Sequence, residues 1–328
     1  MNFIRVFFLT IFILITLLLG LVYSIDPYDK YGINLFGFNT KAVAMARENK
    51  FNMVEHSKKE YQAFVIGSSA AHRLHTTDVE QFIHLKTFNY SLQHTMPEDY
   101  LAIVRHILER YHPKMILLQM DFYTLNKNFL ADTRFFTSPL YPYFNNKNSP
   151  RPERSFIDFD YFTLKAISDS FKVIWVNNFG KARHLYLEDG NYQAEKAYHG
   201  PIKINQFQYT NYEFDQNRIN YLKEIKRLCD ERNIKLVVWT TPYSFNHLEK
   251  IEQESGLGKK HLEFKQVLAQ IFGTIYDFST PEIREFSNDK YFRDSTHPTR
   301  ELFKLMLSKI FHPEESTFPP LLGAKLNH

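Results

Sequence analysis

A serine that follows a short apolar stretch is the first residue whose surroundings indicate chemistry. Ser69 comes directly after Phe64-Val65-Ile66-Gly67-Ser68, a pattern that predicts a buried strand, a tight turn and the start of a helix. A hydroxyl in that turn would stand at the carboxyl end of a strand, where open α/β sheets place their active sites. Because glycine followed by serine is also ordinary turn chemistry, the serine needs partners before it indicates a function.

An acid and a base occur close together near the C-terminus. Asp294 and His297 are three residues apart, so the carboxylate can fold back onto the imidazole. A serine hydroxyl becomes a nucleophile when an imidazole takes its proton and a carboxylate holds that imidazole in one tautomer. The pattern therefore predicts a catalytic triad of Ser69, His297 and Asp294. In the alternatives, Asp294 caps the last helix and His297 is a surface residue, or Ser68 is the nucleophile.

Together these motifs resemble those of the SGNH (GDSL-like) hydrolase superfamily. In that superfamily the nucleophile lies in a Gly-Asp-Ser turn after the first strand, and the acid and base share a late Asp-x-x-His motif. Gly67-Ser68-Ser69 is similar to the turn, with serine replacing aspartate, and Asp294-Ser295-Thr296-His297 matches the late motif in full. The overall plan resembles membrane-anchored members that serve cell-envelope acylation, such as DltD of teichoic-acid D-alanylation and the alginate O-acetylation proteins.

The resemblance also implies an oxyanion hole, and here the chain departs from the superfamily. The second motif block usually supplies a glycine, and residues 89–94 contain none. The third block usually supplies Gly-x-Asn, where this chain has Asp121 near the corresponding position. Because an ionised carboxylate would repel an oxyanion, Asp121 cannot simply take over that role. The expected donors are the backbone N–H of Ser69 and the side chain of Gln93.

Arg73 completes this group of candidate oxyanion and substrate-binding residues. With His72 and His75 it follows Ser69 closely, and three basic side chains there would suit an anionic substrate. A helix surface that faces solvent would explain the same three residues. No cofactor is expected, and no metal, since the sequence has neither a His-x-x-x-His motif nor a cysteine pair; Cys229 is its single cysteine.

Strand and helix patterns alternate around these motifs. Apolar runs predict strands at 64–66, 87–91, 115–118, 236–239 and 274–278, and amphipathic patterns predict helices at 42–53, 100–111, 217–232, 262–271 and 299–311. Thr95 and Glu98 have capping-box spacing ahead of the second helix. The alternation predicts an α/β protein with a doubly wound parallel sheet, which the resemblance makes SGNH-like and flavodoxin-like in three layers. Residues 124–216 break the pattern, apart from a helical stretch near 156–176, and are interpreted as an insertion.

The N-terminus determines the expected location. Residues 6–23 carry no charge, and an 18-residue helix spans about 27 Å, close to the hydrocarbon core of a bilayer. Arg5 precedes this stretch and Asp26 and Asp29 follow it, so the positive-inside rule places the rest of the chain outside the cytoplasm. We expect a single-pass anchor over 1–25 in the inner (cytoplasmic) membrane and an extracytoplasmic domain over 26–328. A cleavable signal peptide is the alternative.

The composition excludes one large class of partners. The 328 residues carry a formal net charge of +4 and contain no long basic run, so nucleic-acid binding is not predicted. The predicted function is an O-acyltransferase or esterase that acts on acyl esters of a cell-envelope glycan. Its partners would be that glycan or an acyl donor and, as the resemblance implies, a membrane-bound O-acyltransferase. The alternative is a non-catalytic assembly or glycan-binding scaffold that keeps the fold.

Overall fold

The computed structural model describes residues 2–28, 30–38, 46–136, 138–145, 163–180, 185–193, 208–288, 290–320 and 322–327. The helices are α1 (Asn2–Ile25), α2 (Ala46–His56), α3 (Thr76–Ile83), α4 (Pro97–Arg110), α5 (Thr133–Phe136), α6 (Tyr141–Asn145), α7 (Leu164–Phe179), α8 (Gln216–Asp230), α9 (Phe245–Glu249), α10 (Gly258–Phe272) and α11 (Arg300–Phe311). The strands are β1 (Ala63–Ile66), β2 (Thr87–Asn89), β3 (Met115–Met120), β4 (Leu185–Tyr186), β5 (Tyr192–Gln193), β6 (Lys235–Thr240), β7 (Thr274–Asp277) and β8 (Ala324–Asn327).

Six of these strands form one mixed sheet in the order β2-β1-β3-β6-β7-β8. The first five pair in parallel, and every residue of β1 and β3 is buried, as expected for parallel strands covered on both faces. The predicted α/β class is confirmed. The sheet is only mostly parallel, however, because β8 pairs antiparallel with β7. Gly323, at a φ of +70° that favours glycine, turns the chain back along that edge.

The strand order brings the ends of β1 and β3 together. The chain runs from β1 outward to β2 and then continues with β3 on the opposite side of β1. In open α/β sheets, ligands bind outside the carboxyl ends of the strands at the point where the order reverses. Ser69 follows β1 and Asp121 follows β3, so both residues lie at this point.

The predicted capping box at the start of α4 is wrong. The helix begins at Pro97, and the Asp99 carboxylate accepts the backbone N–H of Met96 at 3.2 Å. Thr95 instead donates its hydroxyl to the carbonyl of Gly67 at 3.0 Å. The residue that was expected to cap a helix therefore supports the turn that carries Ser69.

The chain divides into two compact units. We call residues 1–57, 148–187 and 193–195 the α1 unit, and residues 58–147, 188–192 and 196–328 the sheet unit. These boundaries differ from the predicted ones. Residues 26–57 belong to the same unit as α1, and so do residues 148–187 from the middle of the predicted insertion. The predicted helices at 42–53 and 156–176 correspond to α2 and α7; residues 42–45 and 156–162 lie outside the described residues.

A small apolar core closes the α1 unit. Val22 and Ile25 at the end of α1, together with Tyr28, pack on Ala166 and Val173 of α7. Residues 3–17 of α1 are exposed, and residues 3–25 are long and apolar enough to cross a membrane.

Candidate active site

Three predicted residues meet in one hydrogen-bonded chain. The Ser69 Oγ lies 3.0 Å from the His297 Nε2, and the His297 Nδ1 lies 2.8 Å from each carboxylate oxygen of Asp294. All three side chains are half-buried, so the hydroxyl stays accessible from outside. In this arrangement the imidazole can take the serine proton while the carboxylate holds its tautomer.

Gly67 is required by a close approach of Gln119. A Cβ at Gly67 would lie 2.9 Å from the Cβ of Gln119 and 2.9 Å from the Cβ of Ala71, too close for any real side chain. The Gln119 Oε1 uses this space to accept the backbone N–H of Ser68 at 2.8 Å. The glycine therefore lets the end of β3 hold the nucleophile turn directly.

Ser68 caps the turn, and this distinguishes it from Ser69. Ser68 is buried and its Oγ accepts the backbone N–H of Ala70 at 3.2 Å, which caps the single 3₁₀ turn Ser69–Arg73. Ser69 follows at the first position of that turn, with its hydroxyl on His297. The contacts favour Ser69 over Ser68 as the nucleophile.

Asp294 is held in its ionised form. Burial by itself raises the pKa of a carboxyl group, but here the hydrogen bonds and charge of His297, with the backbone N–H groups, lower the pKa of Asp294 to about 2. The N–H groups of Thr296 and His297 donate to its Oδ1 at 2.9 and 3.0 Å. The two-residue spacer is what brings those donors back onto the carboxylate.

The backbone N–H of Ser69 is available as an oxyanion donor. Because Ser69 opens its 3₁₀ turn, its N–H has no partner within the turn, and it makes no hydrogen bond with any described residue. Gln93 is half-buried in the loop after β2. The neighbouring Leu92 N–H and the Thr95 hydroxyl both bind the Gly67 carbonyl at 3.0 Å. This loop therefore lies against the nucleophile turn, and the Gln93 amide makes no hydrogen bond with a described residue.

Asp121 is buried behind the turn and makes no hydrogen bond to Ser69. Its Oδ1 accepts the Thr241 hydroxyl at 2.7 Å and the Gln119 Nε2 at 3.2 Å, and Gln119 also donates to Thr241. Burial raises the pKa of Asp121, while hydrogen bonds from Ser68 and Thr241 act in the opposite direction. Asp121 thus orients the Gln119 amide that holds the turn, and its role towards an oxyanion stays a prediction.

Arg73 is accompanied by a second arginine that the sequence analysis did not single out. Arg293 immediately precedes Asp294, and its backbone N–H donates to the His297 carbonyl at 2.9 Å. The Arg73 Nη2 and the Arg293 Nε are both buried and make no hydrogen bond with a described residue. Burial and then repulsion from Arg293 lower the pKa of Arg73. Two guanidinium groups beside the triad thus form no ion pair within the described part of the chain.

His72 and His75 do not share the environment of Arg73. His72 is buried with its ring centroid 5.3 Å from that of Tyr192, so the interpretation of His72, Arg73 and His75 as one solvent-facing surface is wrong for His72. His75 precedes α3, and burial followed by the charge of Arg300 lowers its pKa. Arg73, whose Nη2 makes no hydrogen bond with a described residue, is therefore the candidate among them for contacting an anion beside the triad.

Known proteins give no second route to an interpretation. No protein-family model matches the chain, and no curated protein matches it significantly. Among the described residues, no group of three His, Cys, Asp or Glu side chains could hold a metal ion.

Proposed function

We propose that the protein is a membrane-anchored, SGNH-like serine esterase or O-acyltransferase that acts on acyl esters of a cell-envelope glycan. The observation that carries the proposal is the Ser69 Oγ at 3.0 Å from the His297 Nε2, with Asp294 on the other ring nitrogen. The triad lies at the carboxyl end of β1 at the reversal of strand order, where α/β enzymes bind substrates. This strand order and the two matching motifs support a doubly wound fold of the SGNH type.

The reaction divides into two steps at Ser69. As the Ser69 Oγ attacks the ester carbonyl carbon, His297 takes the hydroxyl proton, and the oxyanion forms next to the Ser69 N–H. The intermediate expels the alcohol, which receives the proton from His297, and leaves an acyl-serine. Water or a sugar hydroxyl then attacks that ester while His297 takes its proton, the acyl–Oγ bond breaks, and His297 returns the proton to the departing Ser69 Oγ. Water gives a free acid, and a sugar hydroxyl gives a new ester.

Two arginines favour a substrate with an anionic group close to the ester. The unused N–H groups of Arg73 and Arg293 are buried beside the triad, where a carboxylate or phosphate would supply the missing hydrogen-bond acceptors. Acidic envelope glycans carry such groups. A membrane-bound O-acyltransferase would supply acyl groups to an extracytoplasmic site of this kind, and α1 supports an anchor in the same inner (cytoplasmic) membrane.

A scaffold that binds glycan without catalysis is the second candidate. It is favoured by the sparse oxyanion hole, since within the described part of the chain the backbone N–H of Ser69 is the donor that the turn places beside the hydroxyl without another partner. Loss of one such donor costs on the order of 3 kcal/mol of transition-state stabilisation in comparable sites. That loss would slow an enzyme strongly without abolishing binding.

Hydrolysis of p-nitrophenyl acetate by the full-length protein in detergent separates the two functions. We expect turnover above the buffer rate for the wild type and none for Ser69→Ala. Ser279→Ala is the matched control, because Ser279 also hydrogen bonds to a histidine but is buried. Equal rates for the wild type and Ser69→Ala would refute the nucleophile.

Covalent labelling provides a second readout of the same claim. A fluorophosphonate probe reacts with activated serines, so mass spectrometry is expected to find the adduct on Ser69. An adduct on Ser68 would transfer the role to that residue. A protein that binds acidic glycan but neither hydrolyses the ester nor reacts with the probe would be the scaffold.

A further inference from the structure

The helix α7 exposes four large apolar side chains on one side. Leu164, Phe171, Trp175 and Phe179 are 87%, 54%, 64% and 75% exposed. At 100° per residue, their spacing of seven, four and four places them within one narrow sector of the helix. We call these four residues the outer face of α7. Isolated exposed apolar residues need no explanation, but four large ones on one face mark a contact surface.

The opposite side of α7 is fixed to the end of α1. Ala166 and Val173 lie about half a turn from the outer face and are fully buried against Val22 and Ile25. On the same side, the Asp169 carboxylate accepts the Tyr28 hydroxyl at 2.6 Å. The outer face is thus carried by a helix that packs on residues 22–28, the point where the long apolar helix ends.

Two further exposed apolar side chains lie close to the C-terminal end of α1. Leu35 and Phe36 are both exposed, and the Leu35 N–H donates to the Ser24 carbonyl at 2.9 Å. In a membrane-spanning orientation of α1, Ser24 lies at the boundary between hydrocarbon and headgroups. Tryptophan is enriched at that depth because its ring is apolar while its N–H is polar. Trp175 belongs to the outer face of α7.

We infer that α7 lies in the membrane interface beside the end of α1, with its outer face in contact with lipid. The outer face belongs to a helix that packs on α1, which is itself apolar enough to be surrounded by lipid, and it carries the aromatic residues of an interfacial helix. Lys172 is exposed next to Phe171, where its ammonium group can reach lipid phosphates.

The same packing indicates that α1 is retained in the mature protein. Val22 and Ile25 are 0% and 1% exposed because they fill the core between α1 and α7. Removal of α1 as a signal peptide would uncover the inner face of α7. The anchor is therefore part of the folded α1 unit, and the cleavable-signal alternative is disfavoured.

Tryptophan fluorescence tests the interfacial position directly, because the chain has two tryptophans. Trp175 lies on the outer face of α7, and Trp239 is 1% exposed within the sheet. The full-length protein is reconstituted in vesicles of phosphatidylcholine and phosphatidylglycerol, with or without brominated acyl chains. We expect brominated lipid to quench the wild-type emission and to leave the Trp239 emission of Trp175→Phe unchanged.

Two outcomes would overturn the inference. Trp175 emission that is quenched by aqueous iodide but not by brominated lipid would place the outer face in water. Emission shielded from both quenchers would indicate that a protein covers it. Phe179→Glu is expected to reduce lipid quenching of Trp175, whereas Leu262→Glu, at an exposed position of α10 in the sheet unit, should leave it unchanged. These readouts are independent of any esterase activity.

Discussion

The sheet unit contains two serine–histidine–carboxylate chains with the same connectivity. In the candidate site, Ser69 contacts His297 at 3.0 Å and His297 contacts Asp294 at 2.8 Å. In the second chain, the Ser279 Oγ lies 3.1 Å from the His261 Nε2, and the His261 Nδ1 lies 2.8 Å from Glu252. By distances alone, the two would be assigned the same chemistry.

The two chains differ in solvent exposure and in the partners of the serine hydroxyl. Ser279 and His261 are each 1% exposed, so no ester can reach the hydroxyl. The Ser279 hydroxyl also donates to the Asp277 carboxylate at 3.1 Å, which already pairs with Lys265 at 2.9 Å. The ring of Phe122 covers His261, with centroids 4.9 Å apart. The second chain is a satisfied core network.

The comparison separates geometry from function. A triad is recognised by its hydrogen bonds, yet these bonds also satisfy polar groups in a core. What distinguishes the first chain is accessibility, a free backbone N–H at the serine, and unused guanidinium donors beside it.

The largest expected effect comes from exchanging the two histidines for glutamine. His297→Gln removes the general base, so kcat for ester hydrolysis should fall on the order of 10³-fold with little change in stability. His261→Gln should leave kcat unchanged and lower the free energy of unfolding by about 2 kcal/mol, since buried partners lose their hydrogen bonds. Steady-state kinetics measures kcat for both variants, and urea unfolding measures their free energies of unfolding. A loss of kcat in His261→Gln with none in His297→Gln would exchange the roles of the two histidines.

The Lys265–Asp277 ion pair beside the second chain should matter for stability alone. Lys265→Met leaves the Asp277 carboxylate buried without its partner, which should lower the free energy of unfolding by roughly 3 kcal/mol. Lys260→Met on the same helix is the matched control. Lys260 pairs with Glu263 at an exposed position, so its loss should cost less than about 1 kcal/mol. Equal losses for the two variants in urea unfolding would remove the distinction between core and surface.

The unused arginine of the first chain should affect substrate binding. Arg73→Gln is expected to raise KM about tenfold, equivalent to about 1.4 kcal/mol, for the p-nitrophenyl monoester of succinate, which carries a carboxylate. For neutral p-nitrophenyl acetate, KM should not change. Arg232→Gln, on the exposed surface, controls for the loss of charge. An equal increase for both esters would contradict an anion-binding role of Arg73.

The smallest expected effect is a pH dependence of stability that belongs to the second chain. Burial lowers the pKa of His261, while the hydrogen bond that its Nδ1–H donates to Glu252 acts in the opposite direction. Around and below pH of about 6.5, at which a free histidine is half protonated, the unfolded chain binds more protons than the folded one. The His261 contribution to stability is therefore complete above that pH and declines as pH falls below it. His261→Gln should flatten this part of the urea-unfolding profile; an unchanged slope would show that His261 is not its source.

The sequence predicted the elements and motifs that depend on local patterns. The apolar runs at β1, β3 and β6 and the helical periodicity of α8 and α11 specify their own secondary structure. The triad was predictable because two short motifs each keep their residues together. Asp294 and His297 share one loop, and the Gly67 turn follows a strand.

The residues that support the site were not predictable in this way. Gln119 acts through a contact with Ser68 that depends on the β1–β3 pairing, and Thr95 bonds to Gly67 across the sheet end and does not cap α4. Arg293 was missed although it adjoins Asp294, because its sequence position says nothing about burial. Strand β8 is short and polar on one side, and its position depends on the edge that β7 leaves open.

The interleaving of the two units has a consequence for release of the protein from a membrane. A protease that cuts the chain between residues 57 and 58 would separate α1 from the start of the sheet unit. The sheet unit would still be joined covalently to α7, because residues 148–187 belong to the α1 unit. With α7 held at the bilayer surface, this single cut would not release the sheet unit, which carries Ser69. Release would require further cuts on both sides of residues 148–187.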